Sequence, residues 1–387
     1  MHKITAAIRT QIEQTQEREH SNPLFLTSSF CYDDAEQMRA VFADEVEANI
    51  YSRFVNPNST ELEEKMAILE GTEAAFAVAS GMAAISSTFL ALLKQGDTIL
   101  ACNSIFGSTH TVLTKYLPKF GIHHRYVSVT ATEQEWENAI DDSVKMIFLE
   151  TPTNPGLDII DLEMVGKIAK KHNIIFVVDN CFATPLIQQP QQYGADLIIH
   201  SGTKWIDGQG RVLGGIVCGT KVLIKEVYAF SRSFGPSLSP FNAWLLSKSL
   251  ETLDVRMERH ASNAFYLAQQ LEHHPKIKWL KYPQLPSHPQ HEIAMKQMKN
   301  GGALVVFNLK GGVEAGRNFL NKLKMLSLTA NLGDTRSIAS HPASTTHAKL
   351  TDEERMMVNI TPGLIRISVG LEHRDDILAD ILQALED

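Results

Sequence analysis

The 387-residue sequence predicts an α/β protein with a mainly parallel sheet, followed by a smaller α+β domain. Short apolar runs alternate with helical stretches between residues 74 and 218, a pattern typical of a parallel sheet covered by helices. A long amphipathic stretch at 242–273 predicts one helix that leads out of this domain. Two later apolar runs, at 304–307 and 364–369, predict strands of a second sheet.

Seven short apolar runs are the predicted strands of the first sheet, at 74–79, 98–101, 124–127, 145–149, 174–178, 197–199 and 215–218. Ser80-Gly81-Met82 follows the first run and predicts the start of an apolar helix that reaches about residue 93. Residues 1–60 show little periodicity and predict an extended arm that contacts a neighbouring subunit. We therefore expect an arm at 1–60, a sheet domain at 61–245 and a C-terminal domain at 246–387.

The composition argues against several classes of function. A net charge of -8 and a pI near 6.0 argue against a nucleic-acid partner, which would need a basic patch. Four scattered cysteines and the lack of a CxxC pair argue against a disulfide scaffold and a metal site. The N-terminus lacks the apolar core of a signal peptide, and no apolar run reaches the ~18 residues of a membrane span. We expect a cytoplasmic protein with neither a membrane nor a nucleic-acid partner.

One lysine and one aspartate follow neighbouring predicted strands. Lys204 comes shortly after the run 197–199, and Asp179 directly follows the run 174–178. The carboxyl ends of parallel strands open on a shared crevice, where open α/β sheets bind ligands. A lysine can form a Schiff base with pyridoxal phosphate (PLP), and an aspartate can keep the pyridine nitrogen of this cofactor protonated. Together the two residues predict a PLP site, although an ion pair or a helix cap would explain either residue alone.

Further polar groups could bind the phosphate and the ring of such a cofactor. Ser201 and Thr203 stand close to Lys204 in the sequence and offer hydroxyl donors. At Gly81 and Met82 the backbone can approach a phosphate closely, and the helix that begins there offers unpaired N–H groups and its positive end. With Lys204 and Asp179, the helix start would give a third point of contact with one cofactor. A helix start without those two residues would indicate only a helix cap.

Several motifs together resemble the Cys/Met-metabolism PLP-dependent enzymes, and the resemblance extends over essentially the whole chain. The motifs that carry it lie at 51–57, 79–84, 150–155, 178–180, 200–204 and 365–370. The resemblance implies the PLP-dependent transferase fold type I, with a mainly parallel seven-stranded sheet and 61–245 as the PLP-binding domain. It also implies a homotetramer built from dimers that complete each other's active sites.

The resemblance also implies a role for each matching residue. Lys204 would be the Schiff-base lysine and proton shuttle, Asp179 the pyridinium partner, and Asn154 the partner of the ring oxygen. Arg366 would bind the α-carboxylate of the substrate, helped by Asn331. The implied phosphate-binding residues are Gly81, Met82, Ser201 and Thr203, together with Tyr51 and Arg53 of the neighbouring subunit.

Departures from the family pattern narrow the expected activity. Most members carry a tyrosine at the position of Phe106, and a phenylalanine there can stack on the ring but cannot exchange a proton. Arg336 stands where cystathionine lyases carry a glutamate, and a cation there would suit an acidic leaving group such as succinate. Ser108 stands where methionine γ-lyases have a cysteine. These features favour the O-succinylhomoserine sulfhydrylase branch of the family.

The expected reaction is a γ-replacement in methionine biosynthesis, in which sulfide and O-succinylhomoserine give homocysteine and succinate. Two close alternatives stay open: cysteine as the acceptor, as in a cystathionine γ-synthase, or the acetyl ester, as in an O-acetylhomoserine sulfhydrylase. A γ-lyase is less favoured. A dehydrogenase is disfavoured because no GxGxxG follows the first strand, and a zinc hydrolase because His291-Glu292 lacks a second histidine at ligand spacing.

Overall fold

The computed structural model describes residues 1–345, 351, 355 and 360–386, and two sheets form its framework. The strands of the first sheet are β1 (Ala74–Val78), β2 (Thr98–Cys102), β3 (His123–Val127), β4 (Val144–Glu150), β5 (Ile175–Asp179), β6 (Leu197–Ser201) and β7 (Gly215–Gly219). Their order across the sheet is β1-β7-β6-β5-β4-β2-β3, and only β7 runs antiparallel to its neighbours. The predicted seven-stranded, mainly parallel sheet is therefore confirmed.

Helices cover both faces of this sheet. The helices up to the end of the sheet are α1 (Lys3–Arg9), α2 (Ala35–Phe42), α3 (Pro57–Glu70), α4 (Gly81–Leu92), α5 (Gly107–Thr111), α6 (Glu133–Asn138), α7 (Leu162–His172), α8 (Thr184–Ile187) and α9 (Lys221–Phe234). On β2, Ile99 packs in the apolar cluster that includes α4 and α9, whereas Leu100 packs in the cluster that includes α3 and α7. Successive side chains of a strand point to opposite faces, so a fully apolar strand needs cover on both.

The N-terminal 60 residues are less extended than the sequence indicated. They contain α1, α2 and the start of α3 within an otherwise irregular segment. Helix α1 packs against α3 of the same chain, where Ala7 is buried and the Lys3 ammonium donates to the backbone oxygen of Pro185.

The amphipathic stretch at 242–273 is two helices, α10 (Pro240–Leu250) and α11 (Leu253–Leu271), so the prediction of one helix was wrong. Arg256 holds the break: its Nη2 donates to the backbone oxygen of Ser249 at 2.9 Å, an oxygen that a continuous helix would pair with a backbone N–H. The same guanidinium donates to the backbone oxygens of Trp205 and Ile206 at 2.6 and 3.0 Å. These contacts are distant in sequence, and the apolar periodicity therefore carries no sign of them.

The second sheet lies in the C-terminal part of the chain. Its strands are β8 (Ile277–Lys281), β9 (Leu304–Leu309), β10 (Ser327–Leu328), β11 (Ile338–Ser340) and β12 (Leu364–Ser368), in the order β10-β11-β12-β9-β8. The remaining helices are α12 (His291–Gln297), α13 (Gly312–Lys322) and α14 (Arg374–Leu385). On β12, Ile365 and Ile367 join the apolar core under α11, α13 and α14, and alternation turns Arg366 to the opposite face.

None of the helices in the described part of the chain combines the length and the apolar character needed to cross a bilayer.

Candidate active site

A cavity of about 290 Å³ opens at the carboxyl ends of β4, β5 and β6 and is closed on its other side by β11 and β12. Most of the site residues expected from the sequence line it: Gly81, Met82, Phe106, Asn154, Asp179, Ser201, Thr203, Lys204 and Arg366. The structure thus brings together groups that are far apart in the chain, in the crevice where parallel sheets bind ligands.

Lys204 lies in the turn that follows β6. Its Nζ donates to Oδ1 of Asn331 at 2.5 Å, which ties the amine to the loop that follows β10. That loop passes close to the lysine, since a Cβ on Gly333 would lie 3.0 Å from the Lys204 Cα, and Gly333 has a positive φ of 80°. Burial lowers the pKa of Lys204, so a larger share of this amine is neutral and nucleophilic than at the surface.

Asp179 ends β5 and lines the cavity. Its Oδ1 accepts a hydrogen bond from the backbone N–H of Cys181 at 3.0 Å. Burial raises the pKa of Asp179 to about 6, so ionising this carboxyl is costly unless a cation faces it. A protonated pyridine nitrogen would supply such a cation.

A buried polar cluster holds the ends of the strands that carry these two residues. The His200 Nε2 lies 2.5 Å from Oε1 of Glu70, and the Asn180 Nδ2 donates to the same oxygen at 2.9 Å. His200 belongs to β6, Asn180 directly follows β5, and Glu70 ends α3. One carboxylate therefore links both strand ends to a helix behind the cavity.

The start of α4 provides a wall suited to a phosphate. The Ser80 hydroxyl caps the helix by accepting from the backbone N–H of Ala83 at 3.1 Å. A Cβ on Gly81 would lie 2.8 Å from the Ser201 Cβ, so only glycine lets the helix start this close to β6. The N–H groups of Gly81 and Met82 have no partner within the helix, and they attract an anion together with the helix dipole.

Arg366 brings a buried positive charge to the opposite wall. It is 6% exposed, its Nη1 donates to Oδ1 of Asn154 at 2.8 Å, and its Nε finds no partner among the described residues. Burial lowers the pKa of Arg366 to about 10, although the Glu150 carboxylate favours the charged form. A guanidinium in such surroundings is poised for a carboxylate, which it can bind with two parallel hydrogen bonds. The contact with Arg366 uses the amide oxygen of Asn154, so the NH₂ group of Asn154 is not part of it. The expected role of Asn154, donation to the ring oxygen of the cofactor, requires that NH₂ group.

Phe106 stands at the mouth of the cavity, just before α5. Its side chain lines the cavity, the residue is 42% exposed, and its backbone N–H donates to Oε2 of Glu150 at 2.9 Å. An aromatic ring in this place can stack on a flat heterocycle but carries no acidic proton.

Four expected residues do not line the cavity: Tyr51, Arg53, Asn331 and Arg336. Asn331 still reaches the site through Lys204. Tyr51 is 40% exposed, and the Arg53 guanidinium lies over the ring of Phe54 at 4.6 Å from its centroid. That Tyr51 and Arg53 reach the phosphate of a neighbouring subunit stays a prediction.

Arg336 is held away from the cavity by an ion pair that the sequence did not reveal. Its Nε and Nη2 each lie 2.9 Å from an oxygen of Asp334, in a bidentate pair. The side chain of Arg336 is 65% exposed. Within the described residues it therefore does not contact the space where the substrate would lie.

Glu150, Cys181 and Ser340 are polar residues of the cavity to which the sequence assigned no role. Glu150 begins the motif at 150–155 and Cys181 directly follows the motif at 178–180, so their proximity to Asn154 and Asp179 was the available signal. Ser340 had none, because its place depends on the pairing of β11 with β12, where it lies opposite Arg366. Burial raises the pKa of the Cys181 thiol, so it stays protonated at neutral pH.

Known proteins are similar to this chain in sequence and in fold. Residues 4–386 match the family described as Cys/Met metabolism PLP-dependent enzyme. An O-succinylhomoserine sulfhydrylase of Pseudomonas aeruginosa is 45% identical over 381 residues, which is 98% of this chain and 94% of the relative. An L-methionine gamma-lyase of Fusobacterium nucleatum subsp. polymorphum is also 45% identical, over 94% of this chain and 93% of the relative.

A crystal structure of a putative O-acetylhomoserine (thiol)-lyase from Campylobacter jejuni, with N'-pyridoxyl-lysine-5'-monophosphate, has a TM-score of 0.94 to this chain. The two sequences are 36% identical, and the match covers 100% of both chains. These similar proteins differ in the activity that their names state.

Proposed function

Because this chain belongs to the Cys/Met metabolism PLP-dependent enzymes, we propose that it is an O-succinylhomoserine sulfhydrylase. Sulfide would displace succinate from Cγ of O-succinylhomoserine and give homocysteine. PLP is the cofactor of this enzyme, and when bound it supplies an electron sink for the carbanion left when a substrate C–H bond breaks. The observation that carries the choice of branch is a phenylalanine, Phe106, at the cavity mouth.

Phe106 matters because of what it cannot do. A tyrosine at this place could act as an acid or a base above the ring, whereas a phenylalanine offers only its apolar face. Proton transfer at the substrate carbons then falls to Lys204. A phenylalanine at this position is what the sequence resemblance associates with the sulfhydrylase branch.

Lys204 would hold the cofactor and, once the substrate amine has replaced it, move protons at Nζ. Its contact with Oδ1 of Asn331 keeps the amine at the cavity wall. Because burial lowers the pKa of Lys204, a larger share of the released amine is neutral and able to accept the Cα proton of the substrate. Expulsion of succinate from Cγ also requires removal of a Cβ proton. The same Nζ, once it has passed on the first proton, could accept this second proton and return it to Cβ after sulfide has added at Cγ.

Arg366 and Asn154 would orient the substrate. Arg366 would bind the α-carboxylate with its guanidinium, and the contact between Nη1 and Asn154 limits how that guanidinium can turn. The α-carbon would then lie between Arg366 and Lys204, both of which line the cavity. Asp179 would face the ring nitrogen from the sheet side.

A second candidate, an L-methionine γ-lyase, has a specific observation in its favour. A relative of that name is as similar to this chain as the sulfhydrylase is, at 45% identity. The cystathionine γ-synthase and O-acetylhomoserine sulfhydrylase activities also fit the same cavity chemistry. Arg336 gives no support to a preference for the succinyl ester, because its ion pair with Asp334 holds its side chain outside the cavity.

The resemblance to the family is also the basis of a proposal for the assembly. We propose a cytoplasmic homotetramer of active-site dimers, with an arm at 1–60, a PLP-binding domain at 61–245 and a C-terminal domain at 246–387. In such a dimer, Tyr51 and Arg53 of one copy would bind the phosphate held by the other.

A direct assay separates the candidate activities. Purified holoenzyme would be given O-succinylhomoserine or O-acetylhomoserine, each with sulfide, with cysteine, and without a thiol, and methionine alone. We expect the largest kcat/KM for the succinyl ester with sulfide, measured as homocysteine formed. Release of ammonia and a keto acid from methionine at a higher kcat/KM would instead identify a γ-lyase.

A further inference from the structure

Glu150 is a buried cavity carboxylate with no role in the proposed reaction. It is the last residue of β4, is 4% exposed, and lines the cavity. In the sheet it lies opposite Asp179 at the end of β5, so two carboxyl groups occupy neighbouring strand ends. Two anions side by side in a buried place are costly unless donors or cations compensate them.

Backbone donors from two different loops meet at this carboxylate. The N–H of Phe106, in the loop after β2, donates to Oε2 at 2.9 Å, and the N–H of Asn154, in the loop after β4, lies close enough to favour the charged form of the carboxyl group. Burial and the neighbouring Asp179 raise the pKa of Glu150, and the two N–H groups and the charge of Arg366 oppose that rise. Arg366 also donates a hydrogen bond to Asn154. One carboxylate thus lies between the ring at the cavity mouth and the guanidinium of the far wall.

We propose that Glu150 is a positioning residue whose carboxylate sets the spacing between the ring of Phe106 and the Asn154–Arg366 pair. The cofactor ring and the substrate carboxylate would then meet their contacts at one fixed separation. The inference rests on the proposed roles of Phe106 and Arg366, and it is independent of which ester or thiol the enzyme prefers.

The chemistry of the side chain makes the inference testable by two substitutions. Glu150→Gln keeps the length but has one acceptor oxygen, so its NH₂ group would face one of the two backbone donors. Glu150→Asp keeps both acceptors and the charge but is one methylene shorter, so it cannot reach both loops. If the charge alone mattered, Glu150→Asp would behave like the wild type.

Asp380 provides a matched control. It is also a buried carboxylate, 6% exposed, and accepts backbone N–H groups of Lys324, Met325 and Leu326 at 2.9 Å each. It lies in α14, outside the cavity lining. Asp380→Asn therefore removes a comparable set of hydrogen bonds without touching the site.

The experiment compares the visible circular dichroism of the bound cofactor and the steady-state kinetics of the four holoenzymes. Both Glu150 variants are expected to change the dichroism band and to lower kcat/KM about tenfold to a hundredfold, mainly through KM. Asp380→Asn should leave the band and KM unchanged, even where it lowers the thermal midpoint. Should Glu150→Gln fail to fold, Glu150→Asp carries the same expectation.

A wild-type dichroism band and KM in Glu150→Asp would overturn the proposal, and so would equal effects of Asp380→Asn. The dichroism band does not depend on the substrate. If the wild type turned out to be a γ-lyase, the test of Glu150 would therefore still stand.

Discussion

The two walls of the cavity are built in different ways. The first, formed by α4 and the ends of β4, β5 and β6, places Gly81, Asp179, Ser201 and Lys204 at strand or helix ends of one sheet. The second, formed by β11, β12 and the loop after β10, places Arg366 by packing a separate sheet against the first. The first wall carries the groups suited to the cofactor, and the second carries the charge suited to the substrate.

The difference between the walls has a functional consequence. A change in the first wall should alter how the cofactor is bound. A change in the second wall should leave the cofactor in place and weaken the binding of the substrate. Lys204 and Arg366 each connect the two directly, through the hydrogen bonds of Lys204 to Asn331 and of Arg366 to Asn154. Substitutions in each wall can test this division between cofactor binding and substrate binding.

Lys204→Ala should remove the covalent link to the cofactor and its visible absorbance band. Turnover should fall by about 10⁴-fold or more, because the amine is also the proposed acid and base. Absorbance spectra and the assay for homocysteine check this, with the exposed Lys167→Ala as the control. An active variant with an unchanged spectrum would refute the role of Lys204.

The cofactor-free protein should lose stability as the pH rises through the range where Asp179 ionises. The folded-state pKa of Asp179, about 6, lies above the ordinary value of 3.8, so the folded protein binds this proton more tightly than the unfolded chain. Stability from this group is therefore complete below about pH 4 and declines up to about pH 6, by about 3 kcal/mol.

Urea unfolding of cofactor-free wild type and Asp179→Asn from pH 4 to pH 7 measures this loss. The loss should be larger in the wild type than in Asp179→Asn, since an amide does not titrate, whereas Glu63 and Glu150, whose pKa values burial also raises, titrate in both proteins. Bound PLP should reduce it, because the ring cation stabilises the carboxylate. Equal pH slopes in both cofactor-free proteins would show that the burial of Asp179 has no such cost.

Arg366→Lys tests the second wall. The lysine keeps the charge but loses the planar pair of donors, so KM for the amino-acid substrate should rise about tenfold to a hundredfold. The cofactor spectrum should stay as in the wild type, in contrast to Lys204→Ala. A loss of cofactor with no change in KM would mean that the two walls do not divide the work in this way.

Arg336→Gln should have the smallest effect. An exposed ion pair contributes about 0–1 kcal/mol, so the preference between the succinyl and acetyl esters should change less than about fivefold. The ratio of kcat/KM for the two esters is the measurement. A selective loss of more than tenfold for the succinyl ester would return Arg336 to the substrate site and show that Asp334 releases it.

The sequence was a better guide to the first wall than to the second. Apolar runs located all seven strands, and the polar residues directly after them located Lys204 and Asp179. Arg366 was recognisable because Ile365 and Ile367 flank it in an alternating strand. Nothing in the sequence signalled the break held by Arg256 between α10 and α11.

By itself, the chain's sequence was enough to establish the sheet, the strand ends and the kind of cofactor, because strand periodicity and the polar residues at strand ends are local properties. The ion pair of Arg336 with Asp334, the two-loop contact of Glu150 and the place of Ser340 opposite Arg366 emerged only from the folded molecule. Glu150 and Ser340 meet their partners through the packing of loops and sheets, whereas Arg336 and Asp334 are two residues apart and the conformation of their loop decides that they pair. A hydrogen bond forms only when the donor–acceptor distance is right to within a few tenths of an ångström, and the spacing of residues along the chain does not encode such distances.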